Sequence, residues 1–228
     1  MREIVLDTET TGLDPLRGDR LVEIGCIEIY NRMPTGQTFH RYLNPERAMS
    51  QDAFNVHGLS DEFLADKPLF ADVVEEFLAF IGDAPLVIHN ASFDVGFINA
   101  ELGRLSRAPI SRDRLGDTLL LAPRAHPCVS NRLDDLCSRY AIDNSRRTKH
   151  GALLDAELLA EVYIDLIGAR QSQLILASSG FSGARGQTDA QRRQRPAPLA
   201  RRVSDAERAA HLAFVETLGD QAIWKEYR

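Results

Sequence analysis

Two carboxylates stand two residues apart in the opening stretch Ile4-Val5-Leu6-Asp7-Thr8-Glu9-Thr10-Thr11-Gly12. The apolar, β-branched run before them reads as a buried strand. Side chains alternate along a strand, so Asp7 and Glu9 point to the same side and converge. Like charges held this close are costly unless something positive sits between them, and a divalent cation meets that need. A solvated strand end running into a Thr-Gly turn also accounts for a triplet this short. The acids further along the chain decide between the two.

His89-Asn90-Ala91-Ser92-Phe93-Asp94 follows a short apolar run and puts Asp94 in the first turn of a helix, where the helix dipole favours an acid. His150-Gly151-Ala152-Leu153-Leu154-Asp155 opens another helix and sets Asp155 in a stripe of Leu and Ala, where a lone carboxylate is expensive. His150 stands just before that helix, free to face a site. Each feature alone has a structural explanation; in this order they form a constellation of four acids and one histidine. The chain resembles the DEDD exonucleases of the His type, which have the ribonuclease-H-like fold. Within that family it is similar to the members that proofread for the bacterial replicative polymerase, DNA polymerase III. The resemblance spans about residues 2–170 and rests on D-T-E-T-T-G-L, V-H-G-L at His57, H-N-A-S-F-D, R-Y-A-I-D-N-S-R-R-T and H-G-A-L-L-D-A-E.

That resemblance implies that Asp7, Glu9, Asp94 and Asp155 hold two divalent cations, Mg²⁺ or Mn²⁺, and that His150 is the general base. It implies that Asp7, Glu9 and Asp155, with Asp52 and His57, contact the terminal nucleotide at a DNA 3′ end; Asp52 stands where a Glu is expected. The residue types suit the chemistry. Two metals about 3.5–4 Å apart activate a water and stabilise the leaving 3′ oxygen of a phosphodiester. Carboxylates favour hard cations over zinc. An imidazole with an ordinary pKa near ~6.5 takes up a proton at neutral pH.

The elements that must position these residues follow from the pattern. Strands are expected at about 2–8, 20–30 and 38–43, with a turn at Pro34-Thr35-Gly36. The segment 51–58 lacks clean periodicity and reads as a loop. Pro68 opens a helix carrying Leu69, Val73, Phe77 and Phe80, and Pro85–Ile88 is a short buried strand. A helix then runs to about Leu105, and residues 117–121 form a short helical element closed by Pro123. A helix with Leu133, Leu136, Cys137 and Tyr140 is capped by Ser130 or Asn131, and the longest helix follows His150-Gly151. Strands followed by alternating helices and strands give an α/β class with a mixed central sheet flanked by helices. This exonuclease domain is expected over 1–177, a flexible linker rich in Gly, Ser, Gln, Arg and Pro over 178–203, and a terminal segment over 204–228. That segment opens on a capping box, Ser204 to Glu207, and carries Leu212, Val215 and Leu218 to a stop at Gly219.

Charge is uneven: residues 181–228 hold nine Lys/Arg and six Asp/Glu, leaving 18 and 27 for residues 1–180. A domain at −9 is the wrong sign to grip nucleic acid by phosphate neutralisation alone, so metal ions or a partner must supply positive charge. The three cysteines, Cys26, Cys128 and Cys137, lack metal-ligand spacing and are expected as reduced core thiols. No apolar run reaches the ~18 residues of a membrane span, and the first strand starts at once without room for a signal peptide, so a cytoplasmic location is expected. Residues 204–228, with Ile223 and Trp224, are expected to dock on the catalytic alpha subunit of polymerase III. Gln171, Leu174 and Leu176 resemble the short peptides that bind the sliding clamp, although the two leucines could equally finish the domain core. An RNA-trimming relative with the same site is the competing enzyme reading; a binding module without metals is disfavoured by the intact acids and His150.

Overall fold

The computed structural model describes residues 1–168, 203–219 and 224 of the 228. The chain divides into two compact units, Met1–Ile175 and Leu176–Arg228. The first is built on a mixed five-stranded sheet in the order β3-β2-β1-β4-β5. β1 (Arg2–Thr10) pairs antiparallel with β2 (Leu21–Tyr30), which pairs antiparallel with β3 (Met33–Tyr42). On its other side β1 runs parallel to β4 (Leu86–Ile88), and β4 to β5 (Leu115–Asp117). Among the described residues no helix is long and apolar enough to cross a membrane.

Alternation along β1 splits the core in two. Ile4 and Leu6 join a cluster with Val73 and Phe77 of α3 (Phe70–Ile81) and Phe97 of α4 (Ala91–Arg104). Val5 faces the other way, into a cluster with Leu136 of α6 (Leu133–Tyr140) and Leu158 and Val162 of α7 (Ala152–Leu166). The apolar residues of α3 and α7 recur at helical spacing, as their sequence anticipates, and each helix covers one face of the sheet.

Several local expectations give way. The hairpin turns at Asn31-Arg32, both at positive φ, not at Pro34–Gly36; Tyr30 faces Met33 and Ile29 faces Pro34. A two-residue turn of this kind matches strand twist, and Pro34 is tolerated because β3 is an edge strand. Residues 51–57 are a helix, α1, capped by Ser50 and closed by Gly58 at φ 75, followed by the short α2 (Asp61–Leu64). α3 starts at Phe70, where Asp72 accepts from the Leu69 amide, rather than at Pro68. Asp117 ends a strand that sequence reading missed, and α5 (Thr118–Ala125) continues past Pro123, its next turn closed by His126 N–H on the Ala122 carbonyl. α6 is preceded by Arg132; Ser130 instead bonds Asp135, and the Asn131 amide donates to the His126 and Val129 carbonyls. Cys26 and Cys137 are buried, but Cys128 is exposed on a positive-φ turn.

In the second unit the capping box at Ser204 and Glu207 opens α8 (Asp205–Thr217), and Gly219 at φ 81 ends it. Val215 is buried, whereas Leu212, Phe214, Leu218 and Trp224 are exposed. The linker assigned to 178–203, the segment Gln171–Leu176 and Ile223 lie outside the described residues, apart from Val203.

Gly25 of β2 sits opposite Asp7 and faces α7. A Cβ there would lie 2.3 Å from the Ala152 carbonyl carbon and the Leu153 nitrogen. Only glycine lets the start of α7 rest on the sheet backbone. Gly25→Ala is expected to lose about 1–3 kcal/mol in chemical denaturation, with faster amide exchange at the start of α7. A variant as stable as the parent would show that this approach is not needed.

Candidate active site

The convergence expected of Asp7 and Glu9 is present. Both follow Val5 onto the α7 side of β1. A bulge follows at once: Glu9 faces Glu23 but Thr10 faces Leu21, so the strand re-aims where its acids end. α7, with Gly151 as its N-cap, brings Asp155 in its first turn to the same side, 3% exposed. Asp94 arrives from the α4 side. Thr8, pointing opposite to Asp7 and Glu9, donates its hydroxyl to Asp94 Oδ1 at 2.7 Å. The cluster therefore lies at the carboxyl ends of β1 and β4, where α4 leaves the sheet.

His150 is exposed, its backbone N–H bonded to the Val56 carbonyl of α1 at 3.2 Å. Its Nδ1 is 3.3 Å from Asp155 Oδ2. α1 is tied to the end of β1 by buried His57, whose Nε2 donates to the Thr10 carbonyl (3.3 Å) while Nδ1 accepts from the Leu59 amide (3.0 Å). Both ring nitrogens of His57 are thus spent on backbone, and burial holds its pKa below the usual histidine value. Asp52 is exposed in the first turn of α1. Leu13 and Leu16, 84% and 94% exposed, lie in the loop beyond β1, and Phe54 and Val56 are exposed on α1.

Arg147 is the residue that sequence reasoning missed. Its Nε and Nη2 fork onto the two Asp155 oxygens at 2.6 and 2.7 Å, Nη1 reaches Asp134 of α6 at 2.7 Å, and Nη2 donates to His150 Nδ1 at 2.7 Å. The side chains of Arg147 and Asp155 are 7% and 3% exposed, and breaking a buried pair of this kind costs about 3–5 kcal/mol. A loop arginine three residues before a histidine gives no sequence signal for this, since most such arginines are solvated.

The electrostatics are dominated by burial and like charge. Burial, then Asp94, Glu9 and Asp155, push the Asp7 carboxyl well above its ordinary range. Glu9 is pushed up to about 9 by burial and by Asp155, Glu23 and Asp94. Asp94 is raised to about 7 by burial, against the pull of the Thr8 hydrogen bond. Of the four, Asp155 alone lies below the usual value: burial raises it, but its contacts with His150 and Arg147 and the Arg147 charge outweigh that. Glu9, His150 and Asp155 present ligand atoms all within 4.8 Å of one another. Oxygen donors with one imidazole, short of positive charge, fit a hard divalent cation.

Residues 4–163 match the family model described as Exonuclease (RNase_T). The DNA polymerase III subunit epsilon of Salmonella typhimurium is 48% identical over 98% of this chain and 97% of its own length. That of Rickettsia felis is 55% identical over 75% of this chain and 76% of its own. The nuclease domain of 3′hExo, a DEDDh family member bound to rAMP, shares the fold with a TM-score of 0.61 at 14% identity, over 73% of this chain and 91% of that one. The chain therefore belongs to the exonuclease family and, within it, to the DNA polymerase III epsilon subunits.

The raised carboxyls make stability depend on pH and metal. Folded Glu9 binds its proton up to about 9, against 4.5 when unperturbed, so the folded state holds more protons across that window. Its contribution therefore favours folding least as pH rises through the window. In chelator the melting temperature is expected to fall as pH rises toward 9. Mn²⁺ should raise it most at the alkaline end, and Glu9→Gln should flatten the trend. A Mn²⁺ effect equal at all pH values would contradict this charge balance.

Proposed function

We propose that this chain is the 3′→5′ exonuclease that proofreads for the replicative DNA polymerase, removing mismatched 3′-terminal nucleotides as 5′-mononucleotides. The observation that carries the reading is that Glu9, Asp155 and His150 bring ligand atoms within 4.8 Å of one another, with Asp7 and Asp94 close enough to act on the same charges. Asp7, Glu9, Asp94 and Asp155 would hold two divalent cations, Mg²⁺ or Mn²⁺. When bound, these offset the phosphodiester's negative charge and activate the attacking water. His150, exposed beside Asp155, takes that water's proton on Nδ1 once the Arg147 hydrogen bond to that nitrogen is released. Asp7, Glu9 and Asp155 would hold the cations that fix the terminal phosphate. Asp52 and the helix anchored by His57 wall the terminal nucleotide, and Leu13, Leu16 and Phe54 offer apolar surface for unpaired bases.

We assign an exonuclease domain to 1–177, a linker to 178–203 and a docking segment to 204–228; the boundary between the two compact units after Ile175 supports separating the first from the rest. Exposed Leu212, Phe214, Leu218 and Trp224 support docking of the terminal segment on the polymerase alpha subunit, and Gln171, Leu174 and Leu176 are assigned to the sliding clamp on their sequence form. This partnership favours DNA over RNA as substrate, and a cytoplasmic location follows from it.

Asp155→Ala is expected to remove most hydrolysis of single-stranded DNA, with secondary structure retained by circular dichroism but a lower melting temperature, since Arg147 loses its buried partner. His150→Gln should lower kcat by about 10²–10⁴ while Mn²⁺ affinity, read by calorimetry, stays within a few-fold. Loss of Mn²⁺ binding in His150→Gln would make the histidine a ligand rather than the base. A near-normal rate in folded Asp155→Ala would overturn the assignment altogether.

Deleting residues 204–228 should leave the rate on short single strands unchanged and abolish co-purification with the alpha subunit. Retained co-purification would place the docking surface elsewhere.

A further inference from the structure

Asp94 is delivered by the first turn of α4, and that turn is not self-supporting. Its N-cap, Asn90, sits in the left-handed region at φ 70 and ψ 55, and its side chain accepts from the Ser92 hydroxyl (3.1 Å) but caps no backbone amide of the helix. The first amides of a helix have no partner within the helix. Here they find one on another strand. Asp117, the last residue of β5, accepts from the Asn90 amide through Oδ1 (3.2 Å) and from the Ala91 amide through Oδ2 (3.0 Å). Oδ1 also takes the Leu119 amide at 2.9 Å, so one carboxylate caps α4 and α5 together. Beside it the Thr118 hydroxyl pairs with His89 Nδ1 (2.8 Å), tying the same turn from the preceding residue. β4 and β5 run in register with Ile88 opposite Asp117, which brings the carboxylate to the amides.

From these contacts we infer that Asp117 is a positioning residue for the nuclease reaction: it sets the start of α4, and so where Asp94 meets Thr8, Asp7 and Glu9. The chemistry requires an acceptor with two oxygens, since three amides converge on it from two helices. A carboxylate also complements the positive end of the α4 dipole. Asp94 lies one turn beyond the captured amides and, among the described residues, is held by hydrogen bonds from Thr8 and from its own helix. If Asn90 and Ala91 lose Asp117, the first two amides of the turn lose their acceptor, and Asp94 no longer faces the other acids at a fixed distance.

The inference rests on the site reading above, and Mn²⁺ uptake by the full chain separates the two. Calorimetric Mn²⁺ titration, hydrolysis rate and thermal melting would be compared for wild type, Asp117→Ala, Asp117→Asn and Ile81→Ala. Ile81 is buried at the end of α3, outside the site, and provides a control of lowered stability. Asp117→Ala is expected to weaken Mn²⁺ binding and slow hydrolysis by about 10–100-fold, the scale seen when groups that orient metal ligands are removed. Ile81→Ala should keep both values despite its lower melting temperature. Asp117→Asn keeps one acceptor oxygen and should fall between wild type and Asp117→Ala. An Asp117→Ala variant matching Ile81→Ala in metal affinity and rate would overturn the inference. Should Asp117→Ala fail to fold, Asp117→Asn with wild-type affinity and rate does the same. A wild-type chain that takes up no Mn²⁺ would overturn the site reading itself.

Discussion

Asp7, Glu9, Asp94 and Asp155 repel one another, and only the fold around them keeps their carboxyl groups together. Strand alternation sets Asp7 and Glu9 side by side, and Gly25 lets the start of α7 close on the sheet with Asp155. Thr8 draws Asp94 in from the opposite face. Burial raises the cost of charge on Asp7, Glu9 and Asp94, as their upward shifts record. Among the described residues, Arg147 offsets part of that charge, but it is committed to Asp155, Asp134 and His150. A cluster this short of positive charge favours divalent cations on electrostatic grounds alone.

The same constraint answers the charge problem of the domain. Residues 1–180 carry 18 basic and 27 acidic residues, which disfavours DNA binding by surface charge. A nuclease that handles one 3′ end needs positive charge only at the scissile phosphate, where bound cations supply it. The rest of the affinity can come from apolar contact with unpaired bases and from a partner that already holds the DNA. Membership in the epsilon-subunit family agrees with that division of labour.

The placement of the acids and His150 was legible from their order along the chain and the family resemblance, since each position alone, a strand end, a helix start or an apolar stripe, also has a structural explanation. The long strands and helices were legible because their periodicity is strong. What escaped depends on contacts between distant segments. Arg147 has no local pattern, and its role appears only when α6 and α7 bring Asp134 and Asp155 to it. Gly25 reads as a weak strand residue until the α7 backbone is seen against it. α1 has too few turns to show periodicity, although Ser50 and Gly58 mark its two ends. The Asn31-Arg32 turn lost to Pro34-Thr35-Gly36 because turn composition outweighed strand register, which an edge strand is free to ignore.

The central claim is that these four carboxylates, and not His57 or the exposed Asp52, hold the cations. Anomalous diffraction from crystals grown with Mn²⁺ and a nucleoside 5′-monophosphate tests it directly. Two peaks about 3.5–4 Å apart are expected. Their ligand oxygens should belong to Asp7, Glu9, Asp94 and Asp155. The absence of peaks from the cluster, or peaks held by other residues, would contradict the account.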